Sequence, residues 1–145
     1  MKALISKAPS RLSRTILSRP ERVEALCREL RSLLRAKRLG KIAFRVELIA
    51  RECLVNAVKH GNHGEEQKRV TMRLWFAREH IRLQVGDEGE GFNWRRVLRR
   101  RPAGPRETTG RGLGLMGVYA ERVRFNARGN LITLWFRRRP EAQTT

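Results

Sequence analysis

Acidic residues are scarce in this chain. Only 14 Asp and Glu stand against 33 Lys and Arg in 145 residues, a formal net charge of +19. Such an excess draws polyanions but confers no specificity by itself. Aromatic residues are few as well, at 6%. No run of the sequence alternates bases with aromatics as a single-strand binder would, and no zinc-finger spacing occurs. Cysteine is limited to Cys27 and Cys53, each inside a helical apolar pattern, without CxxC spacing or a His at ligand distance. That excludes a disulfide framework and predicts two buried thiols in a reducing cytoplasm. No apolar run approaches the roughly 20 residues of a membrane span. No internal repeat occurs. The first 20 residues contain no acid and mimic a transit peptide, but the alternation over Arg11–Ser18 predicts a first strand instead.

What is present is enough for one folded domain, with 40% hydrophobic residues in clear periodicities. Pro20 and Glu21 open a predicted helix with a stripe at Val23, Leu26, Cys27, Leu30, Leu33 and Leu34. A second helix is expected over about Ile42–Lys59, with its stripe at Val46, Ile49, Ala50, Cys53, Leu54, Ala57 and Val58. Gly61-Asn62-His63-Gly64 stops it. Alternation predicts strands at Val70–Phe76, Ile81–Val85 and Leu131–Phe136, with another short one at Arg122–Phe125. A short helix is expected after Gly110–Gly117, through Ala120. Pro140–Thr145 reads as a frayed tail. The order implies an α+β fold: a two-layer sandwich of a mixed, mainly antiparallel sheet with helices on one face.

Three stretches could carry chemistry. Glu52, Asn56 and His60 are spaced i, i+4, i+8 along one edge of the second helix. A carboxylate one turn from a carboxamide can take a proton while the amide oxygen ligates a hard cation, although a solvated helix edge has the same spacing. In Val85-Gly86-Asp87-Glu88-Gly89-Glu90-Gly91-Phe92, three acids crowd together in an otherwise basic chain. Ile81, Leu83, Val85 and Asp87 share one parity, so Asp87 continues the inward row. Gly89 and Gly91 would let backbone approach a ligand. A calcium loop would need a later acidic ligand, and arginines follow instead; a plain tight turn remains open. The third stretch is Gly110-Arg111-Gly112-Leu113-Gly114-Leu115, glycines at a helix start, which suits a phosphate. Neither a Rossmann nor a Walker pattern is present.

Taken in order, the three stretches resemble the nucleotide-binding boxes of the GHKL superfamily of ATPases and kinases. Glu52-x-x-x-Asn56-Ala57-Val58-x-His60-Gly61 is similar to the N box, Asp87-Glu88-Gly89-x-Gly91-Phe92 to the G1 box, and Gly110–Leu115 to the G2 box. Within that superfamily the chain most resembles the stand-alone anti-sigma factor serine kinases of bacterial partner switching, over about residues 10–138. No His precedes His60, so no counterpart of the histidine kinases' phosphoacceptor region is expected.

The resemblance implies one histidine-kinase-like ATP-binding domain over residues 1–145, of the Bergerat type, with an ordered core of about 10–138 and an ATP lid over about 93–109. It implies ATP and Mg²⁺ as cofactors. Glu52 would be the general base, Asn56 the Mg²⁺ ligand and Asp87 the acceptor for the adenine amino group. Gly89 and Gly91 would pass close to the nucleotide. Gly110, Arg111, Gly112, Leu113 and Gly114 would hold the phosphates, and His60 would shape the loop. The implied activity is transfer of the ATP γ-phosphate to a Ser or Thr of a STAS-domain antagonist. A sigma factor or other regulator would be the second partner, in a bacterial cytoplasm. Two other readings stand beside it: a nucleotide-gated binding protein without useful transfer, and, from charge alone, a basic nucleic-acid binder. Nucleic acid is not the expected partner, nor is a membrane.

Two departures from the family pattern stand out. Asn130 follows Gly129 where the family often has Thr, and the lid is rich in arginine (Arg95, Arg96, Arg99, Arg100, Arg101, Arg106). Those arginines could be solvated charges on a mobile loop, dock an acidic partner or gate the triphosphate. Finally, Trp75 and Trp135 have the parity opposite to the core rows. They fit either a homodimer or partner surface, or packing beneath the N-terminal strand.

Overall fold

The computed structural model describes residues 10–99 and 113–138. Strand β1 (Arg11–Leu17) leads to helices α1 (Pro20–Ala36) and α2 (Lys41–Asn56). Strands β2 (Arg69–Phe76) and β3 (His80–Asp87), short helices α3 (Trp94–Arg99) and α4 (Leu113–Tyr119), and strands β4 (Arg122–Phe125) and β5 (Leu131–Arg137) follow. The sheet has the order β1-β2-β3-β5-β4. Every pairing in it is antiparallel, so the expected mixed character is absent among the described residues.

The parities explain the layering. Leu12 pairs with Leu74 and Leu74 with Leu83, which in turn faces Leu134, so one inward row crosses four strands. Those side chains meet the helical stripes of α1 and α2, where Cys27, Leu30, Val46, Ile49 and Leu54 are fully buried. Burying each such aliphatic side chain contributes about 1.5–3 kcal/mol. Acids of the two helices form ion pairs on this side. Arg31 of α1 pairs with Glu47 of α2 at 2.6 Å, and Arg14 of β1 with Glu29 of α1 at 2.6 Å. Arg51 of α2 pairs with Glu24 of α1. These pairs are half exposed, so each adds at most about 1 kcal/mol; they set the helix register more than the stability.

α2 does not end in a tidy cap. Its last turn widens into a π-helical turn over Ala57–Gly61, in which the Asn62 N–H donates to the Ala57 carbonyl at 2.8 Å. Such wide turns recur at functional positions. The extra residue swings Asn62 inward, where it is fully buried. Its amide donates to Ser18 Oγ at 2.6 Å and to the Arg69 carbonyl at 3.0 Å, and its oxygen accepts the Glu88 N–H at 2.9 Å. One side chain thus ties together the segment after β1, the start of β2 and the loop after β3. Asn62→Ala should cost about 2–3 kcal/mol, because it strands buried polar partners. Urea denaturation measures this, and an unchanged midpoint would remove Asn62 from this role.

The segment after Phe92 is not simply a loop. Asn93 Oδ1 accepts the Arg96 N–H at 3.2 Å and starts α3. Trp94 stacks on Phe125 with centroids 5.7 Å apart and donates its Nε1–H to the Asn126 carbonyl at 2.9 Å. Of the expected lid, residues 100–109 lie outside the described residues, and with them Arg100, Arg101 and Arg106.

β1 pairs edgewise with β2 and sets Arg11 beside Trp75. It therefore extends the sheet without covering Trp75, and the packing-beneath-β1 alternative fails.

Candidate functional site

Four pieces of backbone converge at one end of the sheet: the C-terminal end of α2 with its π turn, the end of β3, the β4–β5 turn, and α4. They form an open cleft. Cys53, Ala57, Phe92, Met116 and Ile132 give it apolar walls, and Asn56, Asp87 and Asn130 supply polar groups. This is the makeup of a small-molecule site: mostly apolar, with few polar groups to fix orientation.

Asp87 is positioned by its surroundings. Its backbone N–H donates to the Asn130 carbonyl at 3.0 Å, and Asn130 Nδ2 reaches the Asp87 carbonyl at 3.4 Å. Asp87 Oδ1 accepts the Gly89 N–H at 2.9 Å, which turns the chain. The other carboxylate oxygen lies against Gly61, where a Cβ would come within 2.2 Å of Oδ2. Gly61 is therefore the position that admits the Asp87 side chain.

The glycines after Asp87 let the backbone pack closely. A Cβ on Gly89 would sit 1.9 Å from the Gly61 carbonyl oxygen. One on Gly91, whose φ is +83°, would sit 1.8 Å from the Arg128 carbonyl oxygen. Both glycines thus let this loop press against protein backbone, on the π turn at one side and on the β4–β5 turn at the other. Asn126 organises the latter turn. Its Oδ1 accepts N–H groups from Gly129, Asn130 and Leu131 at 2.8, 3.1 and 3.2 Å, and its Nδ2 donates to Asn130 Oδ1 at 2.7 Å.

Glu52 lies on α2 one turn before Asn56 and is half-buried; it makes no hydrogen bond or ion pair with another described residue. Its charge is felt at the cleft wall: burial, and then the Glu52 carboxylate, push the Cys53 thiol far above its usual range. Cys53 is accordingly an inert wall residue. His60 is exposed on the π turn. Leu113 and Gly114 open α4, and a Cβ on Gly114 would meet nothing within 4 Å among the described residues. Gly110, Arg111 and Gly112 lie outside the described residues. Among the described residues no cluster of His, Cys, Asp and Glu could hold a metal unaided.

The arrangement of an acid-bearing strand end, a helix carrying Glu and Asn, and a later glycine-rich helix start agrees with a comparison against family models. The model of the histidine kinase-like ATPase domain matches residues 16–136. The chain belongs to this family. A comparison with curated proteins finds no match. Membership carries ATP binding with it, and the cleft has a donor set suited to a nucleotide: a carboxylate and two carboxamides among apolar walls. Mg²⁺ would need ligands besides the protein, since no cluster of acids or His among the described residues stands ready for it, and this ion is commonly held by few protein ligands plus substrate phosphates.

The histidine kinase-like ATPase domain therefore brings Asn56 and Asp87 into one cleft and sets Glu52 beside it. Asn62 and Asn126, the two residues that hold the loops in place, escape sequence reading as site residues. The signal for Asn126 was legible in principle: Asn-Ala-Arg-Gly-Asn between two strands is a turn whose first Asn bonds back to the backbone. Asn62 left no such mark. Asn130, the departure from the family pattern, retains a polar contact, now directed at Asn126 and the Asp87 carbonyl. No helix among the described residues is long and apolar enough to cross a membrane.

Proposed function

We propose that this chain is an ATP-dependent protein serine/threonine kinase acting as an anti-sigma factor or partner-switching regulator, with a STAS-domain antagonist as substrate. A sigma factor or another regulator is its second partner, the compartment is the bacterial cytoplasm, and residues 1–145 form one domain. The observation that carries this reading is Glu52: a carboxylate without a structural partner among the described residues, one helical turn from a cleft residue. A module that only binds nucleotide has no use for a base there.

In this reading Asp87 accepts the adenine amino group and the apolar walls hold the ring. Asn56 holds Mg²⁺, which neutralises phosphate charge when bound. Backbone N–H groups at the start of α4, with Gly110, Arg111, Gly112 and Gly114, orient the phosphates. Glu52 takes the proton from the substrate hydroxyl as that oxygen bonds to the γ-phosphorus and the bond to the ADP oxygen breaks. Positioning and electrostatics supply most of the acceleration in such transfers, so the site needs no covalent nucleophile.

The test is γ-labelled ATP with the protein and a STAS-domain substrate. Wild type transfers label to a Ser or Thr. Glu52→Ala should lower transfer at least about 100-fold, as expected for loss of a general base, with ATP affinity within about threefold of wild type. No transfer by wild type, with ATP bound and the partner still regulated, would favour a nucleotide-gated binding protein.

A further inference from the structure

The sheet face away from the helices has a pattern that only the strand register reveals. Arg11, Trp75, Arg82, Trp135 and Arg122 stand in one row across all five strands. With strands about 4.8 Å apart, the row spans about 19 Å. Its guanidinium groups are already stacked on its rings: Arg82 lies 4.1 Å above the Trp75 centroid, and Arg122 lies 5.0 Å above that of Trp135. The next row on the same face holds Ser13, Arg73, Gln84, Thr133 and Arg124. Within the strands, no Asp or Glu points to this face. The nearby acid Glu121 is engaged with His80 at 2.6 Å and Arg137 at 3.5 Å. Among the described residues, Arg11, Arg73, Arg82, Arg122 and Arg124 form no ion pair.

We infer that this open sheet face binds a single-stranded polynucleotide. The five arginines supply fixed positive charge, and arginine forks onto phosphate oxygens more specifically than lysine. The stacked guanidinium and indole planes offer surfaces on which splayed bases stack. A duplex hides its base faces and would use only the charge. A membrane would need exposed apolar side chains, yet among the described residues the exposed large ones, Phe44, Leu115 and Val118, lie off this face. A second copy of the chain would bring guanidinium groups against their equivalents. An acidic protein surface shares the charge, and Trp and Arg also occur at protein–protein interfaces; polynucleotide sites are more polar and more strongly basic, as this face is. The inference is independent of the kinase reading, because none of these arginines or tryptophans lines the cleft.

The probe is a fluorescein-labelled oligouridylate of about 12 nucleotides, within the usual site size of a single-strand platform. It is titrated at physiological salt with wild type and with Arg73→Gln/Arg82→Gln/Arg124→Gln. Oligothymidylate and duplex DNA of equal length serve as comparisons. Intrinsic tryptophan fluorescence is read in parallel, with Trp94, away from this face, as background. Expected are saturable binding, quenching lost in Trp75→Phe/Trp135→Phe, and at least tenfold weaker binding by the triple variant, with ATP binding unchanged. Duplex should bind more weakly and without quenching. Equal binding by the triple variant would show that net charge alone acts, and would overturn the inference. So would tighter binding to poly-glutamate or anionic vesicles, or a face-to-face dimer that Trp75→Ser dissociates.

Discussion

Asp87→Asn should lower ATP affinity about 100-fold while leaving the fold intact. The reason is an acceptor count. A carboxylate has two acceptor oxygens, a carboxamide only one. In the structure Oδ1 already accepts the Gly89 N–H at 2.9 Å. An Asn at 87 would keep its single oxygen there, because that bond turns the loop, and its NH₂ would then replace the second oxygen. Two donors, this NH₂ and the adenine amino group, would face each other. The loss of one charge-assisted bond, plus the clash of donors, amounts to about 2–3 kcal/mol, or roughly 100-fold. Isothermal titration with ATP measures the affinity and urea denaturation the stability. Unchanged affinity would remove Asp87 from base recognition. An affinity loss matched by an equal loss of stability would make its role structural.

The second large effect concerns the glycines that hold this carboxylate in place, and it separates two kinds of obstruction. In Gly89→Ala the new Cβ meets the Gly61 carbonyl at 1.9 Å, and no side-chain rotation can relieve a backbone collision. We expect a stability loss of about 3 kcal/mol or more, with ATP binding abolished. In Gly61→Ala the nearest obstacle is Asp87 Oδ2 at 2.2 Å, the far end of a side chain that can swing away. That variant should stay closer to wild-type stability yet lose ATP affinity about as far as Asp87→Asn does. Gly114→Ala, with nothing within 4 Å among the described residues, is the stability control. Thermal melts with and without ATP distinguish the three. Equal stability loss for the first two would mean that the π turn cannot accommodate a displaced Asp87.

Much of this architecture is legible in the sequence because its signals are local. The stripes of α1 and α2 and the alternations of β2, β3 and β5 follow directly from periodicity, and the Asp87 parity already points inward. What periodicity misses depends on contacts distant in sequence. The π turn at Ala57–Gly61 arises at the end of a helix whose pattern continues unbroken to Val58. Asn62 becomes a clamp only because three chain segments 18, 69 and 88 meet around it. That Gly89 packs on the π turn and Gly91 on the β4–β5 turn becomes visible only once those turns are in place. The Arg–Trp row is the clearest case. Its members sit on five strands, so no window of sequence contains it, and linear scanning finds too few aromatics for a nucleic-acid platform. Register, not composition, assembles it.

In the proposed site the Asp87 carboxylate reads an amino group on the base. The most direct test of this is a comparison of ATP with GTP, both with Mg²⁺, by isothermal titration against the wild-type protein. ATP offers an amino donor where GTP carries a carbonyl acceptor, which the Asp87 carboxylate repels. The account predicts saturable ATP binding and GTP at least about 100-fold weaker, the scale set when a buried polar group is left opposed. Equal affinities, or binding of neither nucleotide, would contradict it.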